Sequence, residues 1–411
     1  MITIKSVGVI VEYNPFHNGH AYHLSQARKV SGADIVIAVM SGNFLQRGEP
    51  ALVSKWTRAK MALHAGVDIV FELPYPFATQ QAEVFADGAV SILAAANCDG
   101  ICFGSESGNV AHFEQTVSFI QANDSLFQQQ VKVHIQNGVS YPKALSLAFM
   151  DLCPDGTVID LSKPNNILGY HYIKAIHKQA IPMRILTIER KNADYHDQQF
   201  TSETIASATS IRKALFKDNH SITDIKQYLP QTTVNLLHEY KEKYGGFHDW
   251  ELYWPYLKFK LLQSSPDELK DIYEVEEGIE NRLLATVMQA DSFHEFMTKL
   301  KTKRYTWTRL QRICLHILTN AKKTEMKNVA SGVSYLRLLG MSEQGRQYLN
   351  KQKHQFHLPL ISKLSAYKGN ETNLDIRASR IYSLGLLSQN NKENLNKEFK
   401  EIPVFYQTKG N

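Results

Sequence analysis

Through residue 216 the apolar residues fall in short runs, and between the runs they recur every third or fourth position. The runs at 7–11, 34–40, 67–73, 100–103 and 183–189 are rich in Val and Ile, which predicts five strands. The stretches 21–30, 55–65, 80–96 and 165–177 carry the helical period, and Gly66 stops the second of them. Residues 109–151 also read as helical and form an insertion or a lid. Strands alternating with helices imply an α/β fold whose parallel sheet is covered on both faces, with ligands beyond the carboxyl ends of the strands. His17, Asn43 and Gly104 all fall at such ends.

Past residue 217 the strand signals fade and amphipathic helical stretches run from 222 to about 387. The expected organisation is therefore an α/β domain at 1–216 and a helical domain at 217–411, with a polar, frayed tail from 389. With 43% hydrophobic and 21% charged residues the composition is that of a globular protein. No window reaches the roughly 18 apolar residues of a membrane span, and the first residues run straight into a strand, leaving no room for a signal peptide. Cys98, Cys102, Cys153 and Cys314 are scattered and lack zinc spacing, so they read as reduced thiols of a cytoplasmic protein. The net charge of +6 permits a polyanionic partner without requiring one. Lys299 to Arg312 packs six cations and two aromatics into fourteen residues, which suits RNA phosphates and bases and equally suits a solvated helix face.

The candidate chemistry centres on His17-Asn18-Gly19-His20, placed between the first strand and the first helix. A helix N-terminus there offers backbone N–H groups and the positive end of its dipole, and two imidazoles add hydrogen-bond donors to one bound anion. Gly19 leaves room for a phosphate to approach the backbone. The H-E-x-x-H metal spacing, the P-loop and the G-x-S-x-G elbow are all absent from the sequence. What remains is nucleotide activation at the α-phosphate. His17 and His20 would act as cationic donors to the charge that develops there, and Mg²⁺ would accompany the nucleotide. Ser207 to Arg212 opens a later helix with small hydroxyl residues, so Ser210 and Arg212 either hold a second phosphate or serve an ordinary N-cap.

Longer strings go further. Residues 8–20 (GVIVEYNPFHNGH), then Ser41-Gly42-Asn43-Phe44, Gln46 to Pro50, Phe103 to Glu106 and Lys163 to Asn166, resemble the bacterial tRNA(Met) cytidine acetate ligases, within the nucleotidylyltransferase superfamily. The likeness runs over essentially the whole chain. It implies a Rossmann-like parallel sheet with a HIGH-motif nucleotide site, followed by a mostly α-helical C-terminal domain. It also implies activation of acetate with ATP to acetyl-adenylate, then acetyl transfer to the wobble cytidine of elongator tRNA(Met), giving N(4)-acetylcytidine. Carried over by position, the ATP contacts would be Val7, Gly8, Val9, Ile10, Val11, Glu12, Tyr13, Asn14, Pro15, Phe16, His17, Asn18, Gly19 and His20, with Gly104, Asn165 and Arg190. Lys301, Lys303, Arg304, Arg309 and Arg312 become the candidate tRNA phosphate contacts.

Other residues carry two readings each. Asn43 touches nucleotide or acetate, or caps a turn; Lys55 and Arg58 steer anions or form a solvated face; Arg47 closes over the triphosphate from a mobile loop. Glu12 is read as a buried structural carboxylate rather than a base, Trp307 as core, and Asp87 as surface decoration. The rival functions are a small-molecule adenylyltransferase and a non-catalytic RNA-binding protein built on the same scaffold.

Overall fold

In the computed structural model, which describes residues 5–139, 141–153, 159–190, 204–218, 220–327, 332–386 and 394–407, the first strand β1 (Ser6–Val11) lies inside the sheet. The Val-rich run leads into α1 (Asn18–Ser31), which closes at Gly32 in the left-handed conformation expected of a helix C-cap. There follow β2 (Ile35–Ser41), α2 (Lys55–His64), β3 (Ile69–Leu73), α3 (Tyr75–Ala78), α4 (Ala82–Ala95) and β4 (Gly100–Ser105). The helical insertion is α5 (Val110–Ala122), α6 (Asp124–Gln136) and α7 (Tyr141–Leu152). Then come α8 (Pro164–Lys178), with Pro in its first turn, β5 (Arg184–Glu189) and α9 (Ala208–Phe216).

The first five strands are parallel and stand in the order β5-β4-β1-β2-β3. The chain leaves β1 first toward β2 and later toward β4, so the switch point lies between β1 and β4, where an open α/β sheet has its ligand crevice. Alternate residues of β1 serve the two faces. Val7 and Val9 pack with Leu24, Ala27 and Met61, whereas a Cβ at Gly8 would stand 2.5 Å from Leu93, so glycine there lets α4 lie close on the sheet. Phe85, Phe103, Phe113 and Ile173 fill the opposite face.

The second half continues with α10 (Gln231–Tyr244), α11 (Trp254–Gln263), α12 (Pro266–Lys270), α13 (Ile279–Val287), α14 (Phe293–Leu300), α15 (Trp307–Thr319) and α16 (Lys323–Met326). It then departs from the expected run of helices. Strand β6 (Leu336–Ser342), preceding α17 (Glu343–Gln352), inserts antiparallel against β3, with an irregularity at Val70/Phe71. Strand β7 (Leu360–Ile361) pairs with β6, α18 (Asn373–Leu384) and α19 (Lys397–Lys400) follow, and β8 (Val404–Tyr406) also pairs with β6. The sheet is therefore built from both halves of the chain. Nor is the tail frayed over 394–407: Glu398 is buried and β8 is hydrogen-bonded. The rest of the supposed tail, 389–393 and 408–411, lies outside the described residues. A separate core joins α11, α13, α14, α15 and α18, and Phe44 and Tyr75 from the first half reach into it.

Among the described residues no helix is long and apolar enough to cross a membrane.

Candidate nucleotide site

A cavity of about 260 Å³ opens at the switch point, lined by the end of β1, the start of α1, the tip of β4 and the entries to α8 and α9. Its first wall follows from one local motif. His17 is the N-cap of α1, and its Nδ1 accepts the Gly19 N–H at 3.1 Å. The His17 N–H in turn donates to His20 Nδ1 at 3.3 Å. The two rings stack with centroids 3.7 Å apart. A Cβ at Gly19 would come within 2.9 Å of the His17 ring, so only glycine leaves that ring in place. With each Nδ1 accepting, a neutral ring must carry its proton on Nε2.

The charge state differs from the expectation. Burial, then the nearby Arg190 and Arg212, pull the His17 pKa down to about 3. Burial, then His17 and Arg190, hold His20 well below the usual value. Both imidazoles are therefore neutral Nε2–H donors and not cations. The positive charge comes instead from Arg47, Arg190 and Arg212, which share the cavity wall. His23, one turn after His20, joins them; burial and Arg190 lower it to about 4, and its buried Nε2 makes no hydrogen bond among the described residues. The spacing of three from His20 was the signal that could have found it.

Of the residues the resemblance implied as nucleotide contacts, Ile10, Val11, Glu12, Tyr13, Asn14, His17, Gly19, His20, Gly104, Asn165 and Arg190 line this cavity. The others do not. Val7, Val9 and Phe16 are core side chains, Gly8 faces Leu93, and Pro15 is not on the wall. The Asn18 amide ties α1 to the carbonyls of Thr204 and Gln227, each at 2.9 Å. Gly104 lies on the floor, where a Cβ would stand at ordinary contact distance from Arg190 Cγ, 3.5 Å, and His23 Cδ2, 3.6 Å. Asn165 donates to Glu106 at 2.7 Å and accepts from Arg190 at 3.4 Å. Glu106, unassigned from sequence, also receives the Asn166 N–H at 2.8 Å and so caps the N-terminus of α8.

Ser210 and Arg212 separate. Ser207 caps α9 by accepting the Ser210 N–H at 3.0 Å and also lines the cavity, whereas Ser210 is buried and off its wall. Arg212 does reach the cavity; it donates to the Asn14 carbonyl and pairs with Glu49, both at 2.9 Å. Asn43 is elsewhere. Its Oδ1 accepts the Lys55 N–H at 2.9 Å at the start of α2 and its amide faces Ser379, around a separate small cavity.

Lys55 and Arg58 are neither anion guides nor a solvated face. Both are fully buried: Lys55 pairs with Glu72 at 2.7 Å, and Arg58 donates to the carbonyls of Glu12, Ser41 and Gly42. That clamp of main-chain carbonyls shapes the loop carrying Arg47, whose carbonyl accepts Gln311 Nε2 at 3.0 Å. Asp87 pairs with Lys178 at 2.7 Å across α4 and α8.

The basic-aromatic segment is adjacent, because α15 packs on this same loop: a Cβ at Gly48 would lie 2.7 Å from the Arg312 N. Lys301, Lys303 and Arg304 are exposed, with Arg304 near Glu277 at 3.1 Å. Arg309 lies over Tyr305 at 5.0 Å. Arg312 is buried in a two-pronged pair with Glu274 at 2.7 and 3.0 Å, so it cannot meet a phosphate. Trp307, expected in the core, is 36% exposed, its indole N–H turned to Gln311, and Tyr305 is the buried one of the two.

Cys98, Cys102 and Cys314 are buried free thiols, and burial pushes Cys98 and Cys102 up to about 12, far from nucleophilic character. Among the described residues no group of three or more His, Cys, Asp or Glu could hold a metal ion.

Comparison with known proteins bears on the same site. The family model described as HIGH Nucleotidyl Transferase matches residues 4–398. The tRNA(Met) cytidine acetate ligase of Geobacillus sp. (strain WCH70) is 52% identical over 365 residues, covering 89% of this chain and 90% of that protein. The tRNA(Met) cytidine acetate ligase of Bacillus licheniformis is 46% identical over 407 residues and 98% of each. The crystal structure of Thermotoga maritima TmcAL bound with alpha-thio ATP superposes with a TM-score of 0.88 at 32% identity, covering 98% of this chain and 100% of that one. The apo form of the same protein gives 0.91, at the same identity and coverage.

Proposed function

We infer that this chain, which belongs to the HIGH nucleotidyl transferase family, is a tRNA(Met) cytidine acetate ligase. It activates acetate with ATP to acetyl-adenylate and passes the acetyl group to the wobble cytidine of elongator tRNA(Met), giving N(4)-acetylcytidine. The observation that carries the reading is the pair of Nε2–H donors, held by backbone N–H groups on the Nδ1 side of His17 and His20, at the mouth of a cavity bearing three arginines.

In the first half-reaction an acetate oxygen attacks the α-phosphorus, a P–O bond forms, and the bond to pyrophosphate breaks. Charge grows on the α-phosphate oxygens and on the leaving pyrophosphate. Neutral donors fixed before the reaction meet that charge without reorganising, and Arg190, Arg212 and Arg47 balance the phosphates. In the second half-reaction the cytosine amine attacks the acetyl carbonyl and AMP leaves. A base of a single-stranded anticodon loop is free to enter a cavity for this purpose.

No carboxylate cage stands among the described residues, so Mg²⁺ would be held by the phosphates themselves and would neutralise charge on the pyrophosphate. We assign the nucleotide chemistry to residues 1–216 and tRNA reading to helices within 217–411, with the exposed Lys301, Lys303 and Arg304, and then Arg309, toward the phosphates. A cytoplasmic location accords with a tRNA substrate and buried, unbridged thiols.

The test is direct. The protein with ATP, acetate and tRNA(Met) should release pyrophosphate and AMP and yield N(4)-acetylcytidine in a nucleoside digest by mass spectrometry. Pyrophosphate release with a phosphomonoester in place of acetate, or no modified nucleoside, overturns the reading.

A further inference from the structure

Acetyl transfer to an amine liberates a proton, and the histidines of the motif are not built to take it. In His17 and His20 each Nδ1 already accepts a backbone N–H and each Nε2 carries the proton, so neither has a free lone pair. Among the cavity carboxylates, Glu49 is engaged with Arg212 at 2.9 Å, and Glu189 is exposed to solvent. Glu12 is different.

Glu12 follows directly on β1, at the carboxyl edge of the sheet, and its side chain lines the cavity. Its Oε1 is anchored by the Gln46 N–H at 2.8 Å and by the Ser41 hydroxyl at 3.3 Å. Its main-chain carbonyl is anchored too, by Arg58 at 2.6 Å. Its Oε2 makes no hydrogen bond among the described residues. One oxygen of the carboxylate is thus held by two donors while the other has none among the described residues, on a side chain that lines the cavity. The same cavity is walled by Phe85, Phe103, Leu168 and Tyr172, flat and apolar surfaces that suit a pyrimidine ring.

We propose that Glu12 Oε2 is the proton acceptor for the cytosine exocyclic amine during acetyl transfer; this deepens the ligase reading and rests on it. The amine nitrogen forms its bond to the acetyl carbon, the bond from that carbon to the phosphate oxygen of AMP breaks, and AMP departs with the electron pair. One proton passes from the amine to Oε2, and from there to water. Catalysis by a placed base of this kind contributes about 10²- to 10⁴-fold. Burial, the largest influence, together with the like charge of Glu49, raises the Glu12 pKa above the usual carboxylate value, against the opposing pull of the Gln46 N–H, Arg47 and Arg58. Tyr172 from α8 also faces it, its own pKa raised by burial and by the Glu12 charge, and Tyr13, His17, His20 and His23 share the same cavity wall. A carboxylate so placed is a stronger base than one in water.

The experiment supplies acetyl-adenylate and tRNA(Met) to the full-length protein and follows a single turnover of transfer, with adenylation of acetate measured separately. Glu12→Gln keeps an oxygen for the Gln46 N–H, so the loop stays tethered, but removes the base. The expected result is a transfer rate lowered at least tenfold more than the adenylation rate, with loss of the acidic limb that wild-type transfer shows as pH falls through the Glu12 pKa. A smaller ratio, or an acidic limb that survives in Glu12→Gln, overturns the proposal. Wild-type protein that transfers nothing from supplied acetyl-adenylate would instead strike the ligase reading itself, so the two failures are distinguishable.

Discussion

The ammonium of Lys55, at the first turn of α2, lies 2.9 Å from the carboxylate of Glu398, 343 positions later in the chain. Both groups are buried, and Glu72 completes the cluster. Burial opposes the charge on Lys55, but its two carboxylates outweigh that and raise its pKa, while Lys55 holds Glu398 below its ordinary value. The last described segment is thereby tied to the start of α2 and, through Ser379, to α18.

Removing one partner of such a cluster leaves a buried charge without its counter-charge. Glu398→Ala should lower unfolding free energy by about 3 kcal/mol, the low end of the usual range because Glu72 still compensates Lys55. Urea denaturation at neutral pH measures it. A loss below about 1 kcal/mol would mean that the contact contributes little.

Loss of one fixed donor at the nucleotide should be felt in rate. His20→Ala is expected to slow acetate-dependent pyrophosphate release about 10²- to 10³-fold. Because both rings are neutral in the free protein, ATP affinity corrected for the titration of the γ-phosphate itself should stay flat between pH 6 and 8 (titration calorimetry), where a cationic pair would lose affinity as pH rises through its pKa.

Gly19→Ala tests the same geometry by sterics. Its Cβ would meet the His17 ring at 2.9 Å and force that ring from its stack. Weaker ATP binding with little change in melting temperature is expected, since the position is at the open end of α1. Unchanged affinity would show that the ring has no part in holding the nucleotide.

Buried neutral histidines make the fold acid-labile. Burial lowers His248 to about 3 and His316 to about 4, so below pH 6.5 the unfolded chain takes up protons that the folded one refuses. Stability is fully present above about pH 6.5 and falls with acid by up to about 1.4 kcal/mol per pH unit for each such group. His248→Gln should flatten that slope between pH 6.5 and 4.5 in denaturant titrations. An unchanged slope would remove His248 from the account.

The basic segment divides into contact and support. Lys301→Ala with Lys303→Ala should weaken tRNA binding and reduce the slope of log affinity against log salt by about 1 to 2. Arg312→Ala should instead lower the melting temperature and leave the salt slope unmoved, because its guanidinium is buried on Glu274. Filter binding across salt concentrations separates the two.

What could be read from the residues alone was whatever depends on near neighbours. The runs at 7–11 and 34–40, Gly66 after the second helix, and His17-Asn18-Gly19-His20 between a strand and a helix carry their meaning within a few positions. They determined the parallel sheet, its crevice and the family likeness. Tertiary structure decided the rest, because burial and charge pairing are set by residues far away in sequence. Nothing near β6 announces that it will insert beside β3. Lys55 and Arg312 look like solvated cations until Glu398 and Glu274 are brought to them, and Trp307, read as core, stays partly exposed while Tyr305 is buried. The protonation of His17 and His20 belongs to this second class as well: burial and Arg190, far away in sequence, act on both rings, with Arg212 adding to the first and His17 itself to the second.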